Sequence, residues 1–223
     1  MRITKEKAAE NRSALVQAAG RLFQERGIDG VGVAEIAKEA GLTHGALYAH
    51  FPSKEALASE ALAHGLQRGY AWMTKLKGGA PTVADYLDAY LSAQQRDNLA
   101  GGCAMAASAS EIARQDETTS ARFAEGFEQL AGAIEAGLGE TGSQADRRQR
   151  ALAIVAAMVG GVAVARATAK SRPDLSDDIL VAVRQILGEV GGASPAATGK
   201  QPAPARARPA PPAPRARRPK PPR

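Results

Sequence analysis

The stretch VAEIAKEAGLTHGALYAHF, Val33 to Phe51, decides the fold. Val33, Ile36, Ala37 and Ala40 recur at helical spacing and form one apolar face. Gly41 follows where a helix ends in the left-handed conformation that glycine adopts most easily. Leu42 plugs the corner, and the Thr43 hydroxyl can cap a second helix. Leu47, Tyr48 and Phe51 then return at the spacing of an inward face. Ala37 is small where the second helix crosses the first. The pattern is that of a helix-turn-helix, whose second helix enters the major groove of DNA.

The flanks extend the pattern. ALVQAAGRLFQERGIDG (14–30) reads as a helix with two apolar rows, Ala14, Ala18, Leu22 and Leu15, Ala19, Phe23, stopped by Gly27. PSKEAL (52–57) opens a further helix, capped by Ser53 and helped by Pro52. From Asn11 to Leu57 the chain resembles the N-terminal domain of the TetR family of bacterial transcriptional regulators. The resemblance implies an all-α protein. A three-helix DNA-binding domain over 1–57 is tied by a fourth helix, 54–77, to a helical ligand-binding and dimerisation domain over 78–192.

The remaining helices follow from periodicity and breaks. Gly78-Gly79-Ala80-Pro81 interrupts the chain. A fifth helix is expected over 82–95, with Val83, Tyr86, Leu87, Tyr90 and Leu91 inward. A sixth is expected over 103–114. The seventh, 117–139, carries Phe123, Phe127, Leu130 and Ile134 on one face. The eighth covers 144–169. The ninth, 173–190, has Leu175, Ile179, Val183, Ile186 and Leu187 as its stripe. No strand is expected. The apolar run Ala151–Ala165 is shorter than the roughly 20 residues of a membrane span and reads as a buried helix.

Charge is divided unevenly. Of the 29 Lys and Arg, eight fall in 193–223: Lys200, Arg206, Arg208, Arg215, Arg217, Arg218, Lys220 and Arg223. That segment holds no acid and ten prolines, a composition that buries no core and is expected to be disordered or extended. Residues 1–77 have a net charge of +3 and residues 78–192 a net of −5. DNA would repel the acidic part, which favours docking through the N-terminal face. The eight cations of the tail are expected to add non-specific DNA affinity. A single cysteine, Cys103, suits a reducing compartment, and MRITKEKAAENR has no apolar signal region, so a cytoplasmic location is expected.

Base reading is expected from Thr43, His44, Gly45 and Ala46 at the start of the recognition helix. His44 can donate to a purine edge, Ala46 can touch a thymine methyl, and Gly45 permits close backbone approach. The resemblance implies that Tyr48, His50 and Lys54 hold phosphates. Two positions depart from the family pattern. Gly32 stands where Ser or Thr usually caps the second helix, and His44 stands where Lys is common. The operator therefore cannot be borrowed from relatives.

Tyr86, Tyr90, Met105, Phe123 and Phe127 are candidate walls of an effector pocket, and each also reads as ordinary core. Cys103 is a candidate sensor of electrophiles or oxidants, with a small buried residue as the plainer reading. His64 reads as a surface residue of the fourth helix. Ala153, Ala156, Ala157, Gly160, Gly161 and Ala163 allow close helix approach. Helices eight and nine of two subunits would form a four-helix homodimer interface, as the resemblance implies. Three histidines and one cysteine leave little material for a metal site or a catalytic triad, and no enzymatic activity, metal or cofactor is expected.

The function expected is a ligand-responsive regulator, a repressor released from a palindromic operator on double-stranded DNA. Two alternatives belong to other classes. One is an architectural DNA-binding protein relying on the basic tail. The other is a small-molecule binding protein with a vestigial reader.

Overall fold

A computed structural model describes residues 4–79, 81–139 and 143–192. The expectations for the basic tail, 193–223, lie outside the described residues. Within them the chain forms ten α-helices and no strand.

Helix α1 (Lys5–Arg26) starts at Thr4, whose hydroxyl accepts from the Lys7 amide at 3.2 Å. It buries Leu15, Val16, Ala18, Ala19, Leu22 and Phe23. It ends at Gly27, with φ 78° and ψ 161°, a conformation essentially reserved for glycine. A β-carbon there would also overlap the Glu111 carboxylate, whose Oε2 accepts from the Ile28 amide at 3.1 Å. Gly27→Ala therefore strains the backbone and displaces Glu111. It should cost about 2–4 kcal/mol and lower Tm by roughly 5–15 °C in a thermal melt.

Helices α2 (Val33–Glu39) and α3 (His44–Tyr48) form the corner expected from the sequence. Helix α4 (Lys54–Thr74) packs along α1 and then reaches into the second domain. It stops three residues before the expected Lys77. Lys77 itself has φ 48°, a left-handed residue inside a 3₁₀ turn, Leu76–Gly79.

The expected fifth helix is two. Helix α5 (Val83–Tyr90) opens on a capping box between Thr82 and Asp85. The chain leaves helical geometry at Leu91 and Ser92, and the Ser92 hydroxyl caps the short α6 (Ala93–Asp97). A serine able to take the Gln95 amide at 3.2 Å competes locally with continuation of the helix. The later helices thus become α7 (Ala104–Ile112), α8 (Glu117–Gly137), α9 (Gln144–Ala169) and α10 (Pro173–Val190).

Helix α9 is central. Ala151, Ile154, Val155, Met158, Val162 and Ala165 are fully buried among α8, α10 and α7. At 26 residues it is long and apolar enough to cross a bilayer by length and composition. Length therefore does not exclude a span, as the 15-residue apolar run suggested. Its burial identifies it as the core helix. Gly161 lets α10 approach: a β-carbon there would sit 3.2 Å from Val183.

The α10 stripe needs correction. Leu180 and Leu187 are buried, but Leu175 and Ile186 face outward, Ile186 at 56% exposure. Ile179 and Val183 are half-buried. The helix has an inner face against α9 and a second apolar row, Leu175, Ile179, Ala182 and Ile186, left open.

Candidate nucleic-acid interface

The reader is held by a small interior. Ile36, Ala37, Leu47 and Phe51 are buried, with Val31 and Leu57 behind them. The turn is closed by the Leu42 amide, which donates to the Ala37 carbonyl at 2.8 Å, and Gly41 has φ 70°. The Thr43 hydroxyl accepts from the Ala46 amide at 3.3 Å and starts α3. Gly32 begins α2 without a side-chain cap, as its lost hydroxyl requires. Arg26–Glu35 and Arg21–Glu39 ion pairs brace α1 to α2, and the Arg12 guanidinium lies 4.7 Å over the Phe51 ring.

With Leu47 fully buried and anchoring α3, the opposite face turns outward. Thr43, His44 and Gly45 are exposed, and Ala46 is half-buried beside them. Tyr48 is a correction to the inward face read from spacing: it is 49% exposed and packs edge-on against His44, ring centres 5.3 Å apart. Helix α3 is one turn and a half, too short to bury both residues 47 and 48. His50 and Lys54 are half-buried. The Ser53 hydroxyl takes the Ala56 amide at 3.2 Å, which leaves the amides of Lys54 and Glu55 at the start of α4, a suitable place for a phosphate. Of the seven candidate DNA-contacting residues, Thr43, His44, Gly45 and Tyr48 are thus exposed and Ala46, His50 and Lys54 half-buried, on α3 and the segment that leads into α4.

A cavity of about 270 Å³ lies in the second domain, between α4, α5, α6, α7 and α8. Tyr90 and Met105 of the candidate set line it. Tyr86, Phe123 and Phe127 do not line it; Tyr86 is buried core and the two phenylalanines are half-buried. Sequence reading missed Leu66, Trp72 and Met73 of α4, Gln94, Gln95 and Asn98 around α6, and Leu130 of α8. Trp72, the chain's one tryptophan, stands 44% exposed. A lone tryptophan in a chain poor in aromatics was the available signal. His64 is exposed, as expected.

Polar groups converge at one end of the cavity. The buried Tyr90 hydroxyl donates to Cys103 Sγ at 2.7 Å, and burial, then the neighbouring sulfur, pushes the phenol well above its ordinary pKa. Cys103 Sγ also accepts from the Ala106 amide at 3.5 Å, so the cysteine caps α7. Arg166 of α9 donates to the carbonyls of Gln95 and Arg96, each at 3.0 Å, and of Asn98 at 3.3 Å. Burial lowers its pKa, and its Nη1 is buried without a partner. Arg96 completes the clamp, donating to Ser176 Oγ at 3.0 Å and pairing with Asp97 and Asp177. Among the described residues no group of three or more His, Cys, Asp or Glu could hold a metal ion.

On the outer side, α9 presents Gln149, Ala153, Ala156, Gly160, Val164 and Ala167 to solvent, a row at helical spacing. Val164 is 52% exposed.

Comparison with known proteins agrees with this architecture. Residues 15–61 match the family described as bacterial regulatory proteins, tetR family. Residues 80–175 match the C-terminal domain described as transcriptional regulator LmrA/YxaF-like. The HTH-type transcriptional regulator AcrR of Shigella flexneri is 46% identical over 59 residues, 26% of this chain and 27% of that protein. The HTH-type transcriptional regulator TtgR of Pseudomonas putida is 44% identical over 62 residues, so the chain spans under a third of the length of such relatives. The HTH-type transcriptional regulator LmrA of Bacillus subtilis is 29% identical over 175 residues, 74% of this chain and 91% of that protein. A TetR transcriptional regulator from Chloroflexus aurantiacus has a similar fold, with a TM-score of 0.67 at 23% identity, covering 82% of this chain and 95% of that one. With both its reader and its second domain matched, the chain belongs to the TetR family of bacterial transcriptional regulators.

Proposed function

We propose that the protein is a homodimeric, ligand-responsive repressor that reads a near-palindromic operator with α3. The observation that carries this is the outward face of α3: Thr43, His44, Gly45 and Tyr48 are presented together while Leu47 and Phe51 pin the helix from behind. Thr43, His44, Gly45 and Ala46 meet base edges. Tyr48, His50 and Lys54 take phosphates, which fix register without reading sequence.

The open rows of α9 and α10 pair with their copies in a second subunit as a four-helix bundle. Small residues on α9 allow close approach, and Leu175, Ile179 and Ile186 supply apolar area. The two α3 helices then stand about one DNA turn apart, roughly 34–36 Å. The cavity holds the effector. Trp72, Met73, Met105 and Leu130 offer apolar contact, and the Gln95 and Asn98 side chains and Tyr90 offer hydrogen bonds, a lining suited to a small, largely apolar molecule with a few polar groups. An effector that favours a different spacing of the two readers releases the operator. Residues 1–57 act as the reader, α4 as its tie, and 78–192 as the effector and dimer domain.

Selection from sheared genomic DNA at about 150 mM salt, where non-specific phosphate binding is weak, tests this reading. A shared near-palindrome is the expected result, and unselective recovery overturns it. On that sequence Tyr48→Phe should weaken binding about 5–10-fold, the loss of one phosphate hydrogen bond, without changing the preferred bases. His44→Ala should change the preference itself.

A further inference from the structure

The cavity of the second domain carries its charge on one residue. Among the described residues that line it, Arg68 is the single charged side chain. It stands on α4 one turn before Trp72, and residues four apart on a helix are neighbours. Both are exposed and both line the cavity, so they form one side of its mouth. The guanidinium reaches across to the other side: Arg68 Nη2 donates to the Gly101 carbonyl at 3.4 Å, and Gly101 lines the cavity too.

That long hydrogen bond leaves most of the guanidinium's donors to a ligand. Arg96, Arg148, Arg172 and Arg184 of the second domain each hold a carboxylate, whereas among the described residues Arg68 has no ion pair. The acids next to the lining along the chain are engaged or turned away. Asp88 pairs with Arg184 at 2.6 Å and Asp97 with Arg96 at 2.7 Å. Glu125, before Gly126 on α8, is exposed and outside the lining. Below the mouth the wall is apolar: Leu66, Met73, Met105 and Leu130 are buried and line the interior. A molecule seated here meets a cation at the entrance and an apolar surface beneath it. A guanidinium takes both oxygens of a carboxylate at once. At an exposed mouth the carboxylate keeps part of its hydration, so the cost of seating it stays low.

We propose that the cavity takes an organic acid, an apolar body with one carboxylate, the carboxylate held by Arg68 and the body covered by Trp72. This deepens the effector reading above, and only the release of DNA rests on that reading. The chain's one tryptophan supplies the readout. The full chain is titrated at about pH 7, where carboxylic acids are ionised, with octanoate and phenylpropanoate. Octanol and phenylpropanol, which keep the bodies and lose the charge, are titrated beside them. Each acid should shift the Trp72 emission saturably to shorter wavelength and bind at least about 10-fold more tightly than its alcohol. In Arg68→Gln that preference should fall to about 2-fold or less, with the affinity for alcohols unchanged. Arg68→Lys, which keeps the charge without the planar fork, should keep part of it. Residue 68 is exposed and gives up one long hydrogen bond, so both variants should melt with the parent. Gly69→Leu controls for place. Gly69 lines the cavity and a β-carbon there meets nothing within 4 Å, so leucine should block acids and alcohols alike.

Acids and alcohols bound equally would overturn the carboxylate and leave a neutral apolar ligand. A preference for acids that survives Arg68→Gln would overturn the assignment to Arg68. One that survives Gly69→Leu would put the acid outside the cavity, and no saturable shift with either acid would overturn the proposal outright. A last arm adds each acid to the operator complex. Release supports both readings. Charge-selective binding that leaves operator affinity unchanged would keep the organic-acid site and remove its role as the effector site.

Discussion

Gly160→Arg should convert the proposed dimer to a monomer and reduce operator affinity about 100-fold or more. Gly160 lies in the outward row of α9, and a β-carbon there meets nothing within 4 Å. The subunit can therefore accept the side chain, and the helix gains about 0.7–1 kcal/mol of propensity over glycine. Two symmetry-related arginines at the centre of a close helix pair would bring like charges together where small residues are required. Each half-site would then be bound singly, and the gain from joint binding is of that size or greater. Sedimentation and operator titration read the two effects, and unchanged circular dichroism excludes misfolding. Gly160→Ala should leave the dimer intact. A dimer that survives the arginine would move the interface elsewhere.

Arg166→Met should lower stability by about 2–4 kcal/mol, or roughly 5–15 °C in Tm. The guanidinium ties three carbonyls of the segment 95–98, which walls the cavity, to the core helix. Methionine keeps the length and apolar stem but leaves those carbonyls without their donor. It also removes a buried charge, which puts the loss below that of a simple truncation. Arg166→Lys should recover little, because an ammonium cannot span three carbonyls as the planar fork does. A Tm within about 2 °C of the parent for both variants would show that the clamp is not what holds the cavity wall.

The reader was legible because it is written locally. Gly41, Thr43, Ser53 and the apolar positions around them act within a few residues of themselves, and the structure keeps each one in its expected role. Tyr48 escaped because one and a half turns of helix give periodicity too little length to assign a face. The cavity was legible only in part. Its walls come from five helices, and nothing in the spacing of Trp72, Gln95 and Leu130 indicates that they meet. Phe123 and Phe127 show the converse, aromatic residues on an apolar stripe that packs rather than lines. The split of α5 from α6 turned on one hydroxyl, Ser92, which caps a new helix where the apolar pattern ends at Leu91. On α10, two apolar rows looked like one stripe because a row turned toward a neighbouring helix and a row left open have the same period.

Helix α7 begins at the cavity and ends on the reader. Cys103 and Met105 line the cavity, and eight residues beyond Cys103 the Glu111 carboxylate grips the Ile28 amide behind Gly27. The nine residues of α7 are a strut about 14 Å long. A strut transmits displacement without regard to what pushes it. Any occupant that moves Met105 would be felt at the end of α1, whatever its own chemistry. In the regulator proposed above, the walls of the cavity would be free to diverge toward new molecules while the message delivered to the reader stayed the same.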